Sequence, residues 1–261
     1  MTKTDRNPAK IPGIMEGKVI KMNEKGLTGS TLKWIAIVTM LIDHTGAAVL
    51  EKMLISGKYG EVSAANPLYQ TDMVLRGIGR LAFPIFCFLL VEGFLHTKNV
   101  WKYAGRLALF ALVSEIPFDL AFQGEWLFMG YQNIFFTLLI GLLVMIAFQT
   151  AEEKIAAKPL RILCEAVVLL AGYVLADVMH TDYGGLGVVC IMLLYIFRYN
   201  RKMQVLAGAA VFMWEITAPL AFLPIYFYNG KRGMKMKYFF YAFYPVHLLI
   251  LYGIAWLLGV V

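Results

Sequence analysis

Residues 32–54 read LKWIAIVTMLIDHTGAAVLEKML. From Trp34 to Ile42 the only polar side chain is Thr39, and apolar residues resume after Gly46. A helix over these residues is about 35 Å long at 1.5 Å per residue, enough to cross roughly 30 Å of hydrocarbon. At the middle of that crossing stand Asp43 and His44. An ionisable residue at the bilayer centre costs roughly 2.5–3.5 kcal/mol on insertion scales, so a chain that keeps two side by side uses them.

The rest of the sequence repeats the pattern. The chain has 261 residues, is 60% apolar and 16% charged, and has a positive mean hydropathy. A soluble domain is nearer half apolar and a quarter charged. The reading is an all-α polytopic transmembrane bundle. Residues 1–30 form a basic cytosolic tail, with no apolar stretch to make a signal peptide, and residues 31–261 form one membrane domain. The net charge of +7 does not indicate nucleic acid, because the basic residues sit in short links between apolar runs. Cys87, Cys164 and Cys190 lie in apolar runs without metal or CxxC spacing, so they read as small buried hydrophobes, and no metal is expected.

Helices are expected near 32–54, 74–95, 103–122, 133–150, 160–179, 184–198 and 238–259, with 55–73 as an external loop. The links alternate in charge. Lys98, Lys102 and Arg106 mark one, Lys154, Lys158 and Arg161 another, and Arg198, Arg201 and Lys202 a third. Between them, 118–132 and 177–183 carry acids but no Lys or Arg. By the positive-inside rule this places the N-terminus in the cytosol. The stretch 205–228 breaks the alternation unless it folds back near Ala218-Pro219, which returns the basic segment 229–237 to the cytosol. The fold-back gives about nine membrane segments, and a single crossing gives eight.

Other charges also fall within spans. His247 lies midway along the last, Glu92 and Glu115 inside the second and third, and Arg76 and Arg80 at the outer end of the second. Lys33 and His44, eleven positions apart, fall on nearly one helix face about 16 Å apart along the axis. Lone membrane histidines are often hydrogen-bonded packing residues. Glu92 and Glu115 read best as partners for Arg106 or Arg80. Trp34, Trp101, Trp126 and Tyr103 read as interface anchors.

Several motifs together resemble one family. They are Leu32-Lys33-x-Ile35-Ala36 with Met40-x-x-Asp43-His44, then Gly79-Arg80-x-Ala82-Phe83-Pro84-x-Phe86. Tyr103-x-x-Arg106-Leu107 and Glu115-Ile116-Pro117 follow. The last are Tyr228-Asn229-Gly230-Lys231-Arg232-Gly233 and Phe240-Tyr241-x-Phe243-Tyr244-Pro245-x-His247. Over roughly residues 32–252 the chain resembles the TraX family, membrane proteins required for N-terminal acetylation of conjugative pilin. That family is similar to the type 3 membrane acyltransferases, whose first helix carries Arg or Lys, ten residues, then His. Lys33 and His44 keep that spacing. The resemblance implies a bacterial inner-membrane acyltransferase using acetyl-CoA or another acyl-CoA as co-substrate, with a peptide or glycan acceptor. It leaves the acceptor, and any oligomeric state, open.

Acyl transfer from a thioester needs a base for the acceptor proton and donors for the tetrahedral oxyanion. A histidine held out of water stays neutral and keeps a lone pair, so His44 is the candidate base. Asp43 is a further candidate, suited to pairing with Arg76 or Arg80. His247 is a candidate for acceptor positioning or as an acid. Coenzyme A carries phosphates and is made in the cytosol, so Lys33, Lys231 and Arg232 are candidates to hold it, the loop glycines turning backbone N–H groups toward an anion. Arg76 and Arg80 join this set, or else bind an acidic acceptor or the oxyanion. A transporter or flippase would also use midplane charges and broken helices, and a non-catalytic scaffold would tolerate loss of His44.

Overall fold

The structure is a computed structural model and describes residues 26–235 and 237–261. Residues 1–25, most of the expected tail, lie outside the described residues. The described chain is helical, with two isolated bridges, Leu27 to Tyr228 and Gln132 to Thr181, as its only extended pairing.

Helix α1 runs from Gly29 to Ile55 as one rod, but over Gly46–Leu50 it widens into a π-turn. Then come α2 (Pro67–Gly79), α3 (Ala82–His96), α4 (Val100–Phe122), α5 (Ile134–Lys154), α6 (Lys158–Val178), α7 (Gly184–Ile196) and α8 (Arg201–Val211). A 3₁₀ turn at Ala218–Ala221 leads into the short α9 (Phe222–Tyr226), and α10 spans Lys237–Leu257. Five rods are long and apolar enough to cross a membrane: α1, α2 with α3, α5, α6 and α10. Helix α4 has the length, 23 residues, but carries Lys102, Arg106, Glu115 and Asp119. Helices α7 and α8, with 13 and 11 residues, are too short to cross alone.

The second span starts earlier than expected. Pro67 occupies the first turn of α2, where a missing N–H costs nothing, and the Asn66 side chain accepts from the Leu68 N–H. The Asn-Pro pair read as loop in the sequence is therefore a helix start. The other spans match the expected runs to within a few residues.

The stretch 205–228 does fold back. After α8 the chain turns through residues 212–217, and α9 packs against α8. Gly208 permits that approach, because a Cβ there would collide with the Phe222 ring. The returning chain ends beside the start of α1. Leu27 N–H donates to Phe227 O at 2.8 Å, and Gly29 and Ser30 N–H donate to the carbonyls of Lys231 and Arg232 at 2.8 and 2.9 Å. These carbonyls satisfy first-turn donors that no helix can satisfy internally.

Between helices in lipid there is little hydrophobic drive, so packing rests on close contact. The core joins Leu32, Ala36 and Ile37 of α1 with Ile85, Phe88 and Val91 of α3, Leu142 and Met145 of α5, and Ile191 and Leu194 of α7. Helix α6 packs mainly on α5 and α7 and turns Leu163, Val167 and Leu170 outward. Cys87 and Cys190 are buried free thiols as expected, while Cys164 on α6 is only half-buried.

Candidate functional site

The site forms where α1, α2 and α10 meet, and begins with one turn of α1. Asp43 and His44 are neighbours in sequence, so their side chains leave the helix about 100° apart. Asp43 turns to α2 and His44 to α10.

On the α2 side, Arg76 Nη1 lies 2.7 Å from Asp43 Oδ2, and Arg76 Nε lies 3.2 Å from Glu51 Oε1. Gly79 makes the approach possible, since a Cβ there would overlap the Asp43 side chain. Arg80, one turn along, pairs with Glu215 at 3.1 Å. Glu215 comes from the fold-back turn, which Thr217 fastens to α2 by donating to Gly77 O at 2.6 Å. The link between α6 and α7 closes the cluster. Tyr131 OH donates to Asp182 Oδ1 at 2.8 Å, and Asp182 is within electrostatic reach of both guanidinium groups. Tyr183, in the left-handed region at φ 66°, stacks on Phe83 with centroids 3.7 Å apart. Asp43 Oδ1, Asp72 Oδ1 and Glu215 Oε2 are sealed from solvent without a hydrogen-bond partner.

On the α10 side, His44 Nδ1 and His247 Nε2 are 2.7 Å apart. The rings are inclined by only 12°, with centroids 4.9 Å apart. Rings in face-to-face contact stay about 3.5 Å or more apart, so a 2.7 Å approach means they meet edge to edge. The N–H and lone pair then lie in the shared plane, where a hydrogen bond is strongest. His247 is buried, and its Nδ1 is 2.7 Å from Phe243 O, one turn back on α10. Phe122 and Tyr244 present edges to the His44 ring. Pro245 sits in this turn, where a proline disturbs the helix. The π-turn of α1 starts just after His44, and such turns are frequent at functional sites.

At the opposite end of α1, Lys33 Nζ stands over the Phe240 ring at 5.4 Å and is electrostatically coupled to Arg232. Among the described residues neither of these cations, nor Lys231, has an acidic partner. The loop uses its backbone differently from the sequence expectation. Lys231 N–H is taken by Asn229 Oδ1 and Met234 N–H by Ser30 Oγ. Lys33, Lys231 and Arg232 are the cationic side chains this end offers an anion.

The sequence candidates thus divide into three groups. His44 and His247 come together, Asp43 joins Arg76 with Arg80 alongside, and Lys33, Lys231 and Arg232 gather at the far end of α1. The carboxylates expected for Arg80 and Arg106 are elsewhere. Glu92 pairs with Arg201 at 3.6 Å, and Glu115 accepts from the Asn133 amide. Arg106 instead lies over the Tyr103 ring at 5.6 Å. Trp101 and Trp126 are exposed, consistent with interface anchors, whereas Trp34 and Tyr103 pack on the core. Glu215 and Asp182 were missed. Glu215 lies in an apolar run, and the rule that flagged His44 would have flagged it. Asp182 looked like an ordinary loop acid, because sequence does not reveal that the short α7 draws its start into the bundle.

The family model described as TraX protein matches residues 28–255. The chain is also similar to a probable fimbrial assembly protein FimC, serogroup H1, of Dichelobacter nodosus. The two are 29% identical over 250 residues, covering 84% of this chain and 92% of the relative. No solved structure matches the chain.

Proposed function

The chain belongs to the TraX family, and from that premise we propose that it is a membrane-embedded acyltransferase that moves an acyl group from cytosolic acyl-CoA to an amine or hydroxyl. The observation that carries this reading is the His44–His247 pair inside a helical bundle. His44 Nε2 makes no hydrogen bond among the described residues and is free to take a proton. In the proposed reaction the acceptor N–H or O–H gives its proton to His44 as the acceptor atom attacks the thioester carbon. The tetrahedral intermediate collapses, the C–S bond breaks, and the coenzyme A thiolate leaves and takes up a proton. Arg76, within electrostatic reach of His44, and Arg80 one turn along α2 are cations for the oxyanion or for an acidic acceptor, although both are partly neutralised by carboxylates.

The cytosolic side is assigned to the end holding Lys33, Lys231 and Arg232. Only Lys52, Lys58, Arg76 and Arg80 lie toward the other end among the described Lys and Arg residues. Each of those four has a hydrogen-bond or ion-pair partner. Lys52 Nζ donates to Phe122 O and Lys58 Nζ to Gly259 O, both at helix C-terminal ends, and the arginines meet carboxylates. In this reading, with the fold-back, the N-terminus is cytosolic and about nine segments enter the bacterial cytoplasmic membrane. Coenzyme A phosphates would then meet Lys33, Lys231 and Arg232, and its pantetheine arm would run along the α1 face toward His44. The relative's name, a fimbrial assembly protein, directs the search for the acceptor to peptides and glycans of surface fibres.

The test uses purified protein in detergent, acetyl-CoA labelled in the acetyl group, and membranes from cells lacking the gene. Protein-dependent thiol release with transfer of label to a membrane component is expected. No release and no transfer above a protein-free control would overturn the proposal.

A further inference from the structure

We propose that His247 is the positioning residue of the site, holding His44 in the tautomer whose bare nitrogen is Nε2. The inference rests on reading His44 as the base, but its geometric part stands independently. The argument starts at the backbone. Phe243 O lies 2.7 Å from His247 Nδ1, and a carbonyl oxygen only accepts. His247 Nδ1 therefore carries hydrogen. In a neutral imidazole the other nitrogen is then bare, so His247 Nε2 is an acceptor.

His44 Nδ1, 2.7 Å from it, must supply the hydrogen. That leaves the lone pair of neutral His44 on Nε2, the nitrogen without a hydrogen bond among the described residues. Which ring nitrogen of a histidine is bare is set by the bond the other one makes. Here a second histidine, anchored to a main-chain carbonyl, performs that task.

The same bond acts during transfer. When His44 Nε2 takes the acceptor proton, the ring becomes an imidazolium. Its Nδ1–H then donates a charge-assisted hydrogen bond to His247 Nε2, stronger than the neutral one. No proton needs to leave Nδ1. His44 returns the Nε2 proton to the departing thiolate, and both rings regain their starting state. Asp43 does not serve in this role, since its carboxylate is engaged by Arg76. A neutral partner also spares the interior the cost of another buried carboxylate.

The deciding experiment reads the tautomers directly. The chain has four histidines, so with His96 and His180 changed to Gln, ¹⁵N-histidine labelling leaves only the pair. Protonated and bare ring nitrogens give well-separated ¹⁵N signals. In membranes near neutral pH, both histidines are expected to show hydrogen on Nδ1 and none on Nε2. In His247→Leu the His44 signal should move toward hydrogen on Nε2. In His247→Gln it should stay, because a Gln amide can donate to Phe243 O and accept from His44.

Transfer measured on the same proteins should fall in kcat about ten- to a hundredfold for His247→Leu, by analogy with the loss when the partner that orients a metal-bound histidine is removed. His247→Gln should recover most of it. Hydrogen on His44 Nε2 in the His96→Gln/His180→Gln background, or a His44 signal indifferent to His247→Leu, would overturn the proposal. The expected tautomers in a protein that transfers no acyl group would leave the pair intact and overturn the acyltransferase reading instead.

Discussion

Asp43 and His44 show how two adjacent residues divide a site. Their angular offset sends one to an ion pair and the other to a histidine, so the acid next to the proposed base is not its orienter. Asp43 instead holds Arg76. Both side chains are largely shielded, and removing either leaves the other's charge or hydrogen-bonding capacity unmatched. Asp43→Ala should destabilise by roughly 1–3 kcal/mol, read as a lower unfolding temperature in detergent. A double-mutant cycle with Arg76→Ala should show coupling of at least about 0.5 kcal/mol. Additive losses would mean the pair contributes nothing. The sequence exposed these residues because charge in an apolar run is conspicuous. It did not reveal their partners, which lie as many as 203 positions away.

At the scale of helices, the bundle depends on a few places without a side chain. Gly79 lets α2 close on Asp43, so Gly79→Ala must push the helices apart or turn Asp43 off Arg76. A loss of roughly 1–3 kcal/mol is expected, with transfer reduced as well, and an unchanged unfolding temperature would refute the close packing. Long apolar runs were legible because a span of 20 or so residues has few rivals. Less legible were elements defined by tertiary context. Pro67 and Asn66 carry the same letters in a loop as at a helix start, and a π-turn over Gly46–Leu50 has no letter pattern of its own. The fold-back is inferred from a charge imbalance and the break at Ala218-Pro219. Its contact with α1 appears only as backbone hydrogen bonds, which no side chain announces.

For the whole molecule, the two ends of the bundle differ in charge, and the proposal depends on that difference. The 227–233 segment is bonded to the start of α1, so both must lie on one side of the membrane. A Lys231→Cys protein with Cys87, Cys164 and Cys190 replaced should resist membrane-impermeant thiol reagents in intact cells and react in inverted vesicles. Labelling from outside would invert the orientation. If the same end grips coenzyme A, Lys33→Ala and the Lys231→Ala/Arg232→Ala pair should each raise the donor KM. The rise should be about tenfold, as for loss of a charge-assisted contact, with the acceptor KM nearly unchanged. Equal donor KM values would place the phosphates elsewhere. Everything converges on His44, whose removal should stop chemistry without unfolding the bundle. Acyl transfer by purified His44→Ala should fall by on the order of a hundredfold or more, at an unfolding temperature near that of wild type. Transfer at a near-normal rate by a properly folded His44→Ala protein would show that His44 is not the base.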